Sequence, residues 1–190
     1  MGNQKKILAQ VQEHQSIIEK ISGKIFIDQI DAVCRLIVDA IKGGNKVLIF
    51  GNGGSASDAQ HIAAEFTGRF VKNRKAYPAI ALTTDTSALT AIANDYGFER
   101  IFARQIEALA QQGDIVIGIS TSGNSINVIH GLLEAKKYGC KLVGFTGNDG
   151  GQMSDICDYC LIIDSNITAR IQEAHILIGH IICSALDDMQ

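Results

Sequence analysis

The chain has no tryptophan, a single proline at Pro78, and aromatic residues at only 6% of its 190 positions. It shows no internal repeat and no low-complexity stretch, so nothing divides it into linked pieces. No apolar run approaches the ~20 residues needed to span a bilayer, so no membrane partner is expected. Basic residues form no stripe and the formal net charge is −3, which argues against a nucleic-acid partner. The start, MGNQKK, is polar and charged rather than a secretion signal, so a cytoplasmic location is expected. The five cysteines, Cys34, Cys140, Cys157, Cys160 and Cys183, are odd in number and scattered, unlike a secreted disulfide framework. Cys157 and Cys160 form a CxxC pair with no second pair and lead into a strand, which reads as two half-buried thiols.

What the chain does have is 46% apolar and 19% charged residues, ordinary for one soluble domain with a sizeable core. Residues 1–190 read as one domain in which residues 1–42 form a helical extension. Ile7, Leu8, Val11, Ile17, Ile18 and Ile21 make a helical stripe over about Gln4 to Ile21. Ile30, Val33, Cys34, Ile37, Val38 and Ile41 make another over about Asp28 to Ile41, stopped by Lys42-Gly43-Gly44-Asn45. Both helices precede the first strand and have no strand of their own to cover, so packing against a partner subunit is expected. Short apolar strands then alternate with helices. The strands are Lys46 to Phe50, Ala79 to Leu82, Asp114 to Ile119, Lys141 to Phe145 and Tyr159 to Ile163. The helices are Ser55 to Phe70, Ser87 to Ala93, Phe98 to Ala110, Ser125 to Tyr138 and Thr168 to Leu186. This is the pattern of a doubly wound, five-stranded parallel α/β sheet of flavodoxin-like order 2-1-3-4-5. Strands 1 and 3 then meet at the topological switch point, where ligands bind beyond the strand ends.

Two polar loops fall at that point. GNGGSASDAQH, Gly51 to His61, follows strand 1, and STSGNS, Ser120 to Ser125, follows strand 3. Gly-rich and hydroxyl-rich turns that open helices present backbone N–H groups and the positive helix end to an anion. Ser120, Thr121, Ser122 and Ser125 place four hydroxyls within six residues, more than helix capping needs. Three phosphate oxygens would use them, so a phosphorylated small molecule is expected. Gly51, Gly53 and Ala56 also fit the G-x-G-x-x-A form of a dinucleotide site, but the acid expected ~20 residues on is absent. The nearest candidate, Asp85, comes 34 residues after Gly51.

Other polar residues sit at useful spacings. His61 and Glu65 are i, i+4 and share a helix face. Gln172, His175 and His180 interrupt the apolar IQEAHILIGHIIC. Gln172 and His180 lie about 80° apart round the helix and can face one cleft, whereas His175 reads as a core histidine bonded to a carbonyl. Asn94 and Asp95 fit a helix-end turn or a binding contact. Arg69 and Arg170 suit either carboxylates or a sugar phosphate.

Four segments in this order, GNGGSASDAQHIAAEFTGRF, ALTTDTSALTAIANDYGFE, GDIVIGISTSGNS and ARIQEAHILIGHIIC, resemble the phosphoheptose isomerases of the sugar isomerase (SIS) domain superfamily. The resemblance runs from about Lys42 to the C-terminus. It implies an enzyme that interconverts sedoheptulose 7-phosphate and D-glycero-D-manno-heptose 7-phosphate for lipopolysaccharide or capsule heptose. It also implies a cytoplasmic homotetramer with sites at subunit interfaces and one bound Zn²⁺ per subunit, with no nucleic-acid or membrane partner. Substrate contacts carried over are Asn52, Gly53, Gly54, Ser55, Glu65, Asn94, Asp95, Ser120, Thr121, Ser122, Ser125 and Gln172. Zinc positions are His61, Glu65, Gln172 and His180, and Glu65 and His180 match the acid/base pair. A superfamily relative that binds the bacterial replication initiator shares the loops but lacks the Glu and the final His. This chain has both. An isomerase of another phosphosugar fits the loops as well.

Overall fold

The computed structural model describes residues 2–189. Two long helices come first, α1 (Asn3–Ile21) and α2 (Lys24–Lys42). Then follow β1 (Val47–Gly51), α3 (Gly54–Thr67), β2 (Ala79–Ala81), α4 (Thr86–Tyr96), a 3-10 turn at Phe98–Arg100 and α5 (Ile101–Leu109). The second half is β3 (Ile115–Ser120), α6 (Ile126–Lys137), β4 (Lys141–Gly147), α7 (Met153–Ile156), β5 (Tyr159–Ile163) and α8 (Thr168–Asp187). The five strands are all parallel, in the order β2-β1-β3-β4-β5. Every predicted strand is present at its place.

Alternation along the strands divides the core in two, because successive side chains leave opposite faces. Val47, Ile49, Ile115, Ile117 and Ile119 join the α1–α2–α3–α8 side. Leu48, Phe50 and Val116 join the α5–α6–α7 side, where Phe50 stacks on Phe102 with ring centroids 4.8 Å apart.

The two N-terminal helices depart from the sequence expectation to different degrees. The sequence pattern leaves the second helix no strand to cover, but α2 buries Ile30, Val33, Cys34, Ile37 and Ile41 in the same cluster as the sheet. Its stripe is wide enough to face β5 and α8. In α1 the stripe is only partly covered. Ile17 and Ile21 are buried, whereas Ile7, Leu8 and Val11 are about half exposed at 55%, 56% and 49%.

α3 and α8 lie side by side with little between them. A side chain at Gly179 would stand 2.6 Å from Ile62, and one at Gly54 would stand 2.3 Å from the Gln172 amide. This close crossing positions the polar groups described next.

Candidate functional site

The crevice at the carboxyl ends of β1 and β3 is built from the two loops. Gly51 has no room for a Cβ, which would meet the Ile119 carbonyl and Ser55 at 2.7 Å. Glycine there lets the β1–α3 turn close against β3. Asn52 and Asn127 exchange two amide hydrogen bonds, both 2.8 Å, and so tie the first loop to the start of α6. Asn127 is buried, and no motif in the sequence singles it out. Its one signal is an Asn just inside an apolar helix, where a polar group needs a partner.

The Ser/Thr loop is braced from behind. The Asn148 amide donates to the Thr121 carbonyl, Gln152 N–H to Asn124 Oδ1, and Met153 N–H to the Gly123 carbonyl. Within the loop, Ser120 Oγ lies 2.9 Å from Ser125 Oγ and 3.4 Å from Ser122 Oγ. Ser125 stands at the N-cap of α6, yet its hydroxyl makes no capping bond, and α3 has no side-chain cap either. By contrast Asp85 caps α4 through the Ala88 N–H. Two uncapped helix starts and a hydroxyl cluster thus face one crevice, a setting for an anion.

Further along α3, three of the expected residues meet. His61 Nε2 lies 3.0 Å from His180 Nε2 and 3.5 Å from Glu65 Oε1. Phe70 stacks on the His180 ring at 5.4 Å. Two ring nitrogens so close need one proton between them or a cation. Zinc bonds of about 2.0–2.1 Å at tetrahedral angles put nitrogen donors about 3.3 Å apart, so the spacing suits that ion. Among the described residues no group of three or more His, Cys, Asp or Glu side chains at metal spacing is formed; His61 contacts each of the other two. Gln172 stands apart, its amide against Gly54, about two turns along α3 from His61.

The remaining expected residues lie elsewhere. Asn94 and Asp95 are exposed near the end of α4 and bond each other at 2.8 Å. α4 buries none of its residues. Arg69 donates to the Val71 carbonyl and Arg170 to the Gln10 carbonyl. His175 is fully buried and its Nε2 lies 3.0 Å from the Thr146 carbonyl, in keeping with the sequence expectation. Cys157 and Cys160 are free and half-buried, and burial pushes the Cys157 thiol up to about 12. That suits neither redox chemistry nor a metal. Asp58, one turn before His61, carries no sequence signal of its own. Its Oδ2 is buried without a partner, and burial raises its carboxyl above the ordinary value.

A cavity of about 170 Å³ lies beside Asn52 and Gly53, walled by Leu89, Phe98 and Phe102. A larger one, about 550 Å³, lies behind the Ser/Thr loop between α1 and the β5–α8 turn. The smaller adjoins the first polar loop at Gly51, Asn52 and Gly53, and the larger does not.

Known proteins share this architecture. Residues 10–147 match the SIS domain family. The chain is 55% identical over 176 residues to the phosphoheptose isomerase of a Nitratiruptor species, covering 93% of this chain and 94% of that one. The structure of phosphoheptose isomerase GmhA from Neisseria gonorrhoeae superposes with a TM-score of 0.92 at 41% identity, covering 98% and 99% of the two chains. A phosphoheptose isomerase from Francisella tularensis superposes with a TM-score of 0.95 at 34% identity, over the same shares.

Proposed function

This chain belongs to the phosphoheptose isomerases, sugar-phosphate isomerase enzymes of the SIS-domain family, and from that premise we propose that it interconverts sedoheptulose 7-phosphate and D-glycero-D-manno-heptose 7-phosphate. The product would feed lipopolysaccharide or capsule heptose in the cytoplasm. The observation that carries the proposal is the meeting of Glu65, His61 and His180 at the α3–α8 crossing, because a phosphosugar-binding module needs the loops but not this group.

Aldose–ketose interconversion moves a hydrogen between C1 and C2 and a proton between O1 and O2. A cis-enediol route needs a base at carbon and an acid at oxygen, each contributing ~10²–10⁴-fold. Glu65 takes the carbon-bound proton and returns it to the neighbouring carbon. His180 exchanges protons with the two oxygens. Ser120, Thr121, Ser122 and Ser125 hold the phosphate with the N–H groups that open α6. Asn52, Gly53, Gly54, Ser55 and Gln172 line the sugar's path.

His61, Glu65 and His180 would hold one Zn²⁺, which when bound polarises the sugar oxygens as a Lewis acid. Gln172 is the fourth donor of the family's set, and it is the one this geometry leaves apart. A carboxylate that ligates zinc is a weaker base, so either Glu65 would exchange the two roles during turnover or the metal would be partly structural.

A site shared between subunits accounts for two further features. Glu65 lies eleven residues into α3 from Gly54, about 16 Å along the axis, so one chain holds its own first polar loop and its own Glu65 well apart. Asn94 and Asp95 stand exposed on a helix with no buried residue, ready for a neighbour's substrate. The test is direct. Purified protein mixed with sedoheptulose 7-phosphate should yield the aldose phosphate. No aldose from folded, zinc-loaded protein would overturn the assignment.

A further inference from the structure

Arg74 and Asp187 form an ion pair with side chains only 1% and 3% exposed. Arg74 Nε donates to Asp187 Oδ1 at 2.7 Å. Its Nη2 donates to the Glu65 carbonyl at 2.9 Å, and its Nη1 to the Phe66 and Lys75 carbonyls at 3.1 and 3.2 Å. The guanidinium also lies over the Tyr77 ring, 4.5 Å from its centre. Asp187 Oδ2 accepts the N–H groups of Val71 and Lys72, both at 2.8 Å.

The pair therefore joins three segments. Its cation caps the last carbonyls of α3, beginning with that of Glu65 itself. Its anion ends α8, two turns after His180. Between them it pins the turn at Val71 and Lys72, and the residue before that turn is Phe70, whose ring lies on His180. A buried ion pair is a poor route to stability, since apolar replacements of similar volume often do as well. What it supplies here is a fixed distance between the two helices that carry Glu65 and His180.

We propose that Arg74 and Asp187 are positioning residues that set Glu65 and His180 against one another, Arg74 through the Glu65 carbonyl and Asp187 through the Phe70–His180 stack. The proposal rests on the reading of Glu65 and His180 as the acid/base pair, so its test has an arm independent of turnover.

Arg74→Lys keeps the charge but loses the planar fork. Asp187→Asn keeps the shape but loses the charge, and Asp187→Glu restores the carboxylate. A misplacement of about 1 Å can cost 10²-fold in rate. Arg74→Lys and Asp187→Asn should thus lower kcat by about 10- to 100-fold per folded molecule, with KM within about threefold of wild type. Asp187→Glu should recover most of the loss. With ¹³C-labelled histidine, the His180 ring resonances should move in Asp187→Asn, because the Phe70 ring current changes. Those of His175, packed on Phe145 with ring centroids 5.7 Å apart, should stay. If kcat stays within about twofold of wild type and the His180 resonances do not move while melting temperature falls, the pair only holds the fold and the proposal is wrong. A wild type inactive on the heptulose phosphate would remove the functional reading alone, and the His180 resonances would then decide the positioning.

Discussion

Glu65 keeps a quarter of its side chain in contact with solvent, on the one helix face that also carries His61. Glu65→Gln changes little volume and removes the only negative charge of the trio. It should leave the far-ultraviolet circular dichroism unchanged and lower turnover of sedoheptulose 7-phosphate by at least the ~10² of a lost general base. Retention of even a tenth of wild-type activity would show that another group takes the carbon-bound proton. The zinc donors should differ among themselves. His180→Gln removes an imidazole 3.0 Å from its partner nitrogen, whereas Gln172→Ala removes an amide that rests on Gly54. Metal analysis after dialysis should find zinc much reduced in the first variant and largely kept in the second. An equal loss in both would mean that Gln172 turns toward the histidines when the metal is bound.

His175 gives a residue-scale prediction of another kind. Burial lowers its pKa from 6.5 to about 4, although the Thr146 carbonyl favours the protonated ring. The unfolded chain therefore binds a proton that the folded chain refuses. Above pH 6.5 neither state is protonated and His175 adds no pH dependence. As pH falls from 6.5 to about 4, stability drops by about 1.4 kcal/mol per unit, roughly 3 kcal/mol in all. Below that window the loss is complete. Urea midpoints across this range should fall more steeply for wild type than for His175→Gln, and parallel curves would contradict a neutral buried His175.

At the scale of elements, the strands were legible because buried parallel strands are short continuous apolar runs, and both loops were legible because hydroxyl and glycine clusters have few other uses. The loop-to-loop bracing was not. Asn127, Asn148 and Asn124 are ordinary in sequence; Asn127 matters only because topology sets the β1–α3 loop beside α6, and Asn148 and Asn124 only because it carries the β4–α7 turn behind Ser120–Ser125. Arg74 and Asp187 were hidden for the same reason, since a pair 113 residues apart leaves no local pattern. Asn148 at φ 56 and Gly123 at φ 65 mark where the two turns meet. A Cβ at Gly123 would stand 1.9 Å from the Gly150 carbonyl oxygen, and a backbone atom cannot swing aside. Gly123→Ala should push the Ser/Thr loop away from its brace. Calorimetry should show inorganic phosphate binding weakened by at least the ~1.5–3 kcal/mol of one hydrogen bond to a charged group, with zinc content unchanged. Unaltered phosphate binding would mean that the loop does not hold the anion.

At the scale of the whole molecule, exposed apolar side chains lie on both N-terminal helices and around the end of α4. Ile7, Leu8 and Val11 on α1 are about half exposed, Ile25 at the start of α2 is 80% exposed, and Tyr96 at the end of α4 and Phe98 just after it are 54% and 60% exposed. The final helix buries Ile171, Ile178 and Ile182 but only partly covers Ile176, Leu177 and Ile181. Large exposed apolar patches are rare on a monomer, so we propose these surfaces, with the exposed Asn94 and Asp95 of α4, as contacts between subunits. The expected assembly is a homotetramer, about 82 kDa as four chains of 20.4 kDa. Leu8 and Val11 offer a test that spares every proposed ligand. In an isolated chain, Leu8→Glu with Val11→Glu alters exposed positions and should change stability by no more than about 0.5 kcal/mol. In a tetramer the same two charges are forced into an apolar contact, where each unpaired carboxylate is costly. Sedimentation should find the wild type as a tetramer and the double variant as smaller species. Activity should fall with the assembly if Asn94, Asp95 or the phosphate loop of one subunit completes the Glu65–His180 group of another. A fully active monomer would show instead that α1 is idle surface and that each chain carries a complete site.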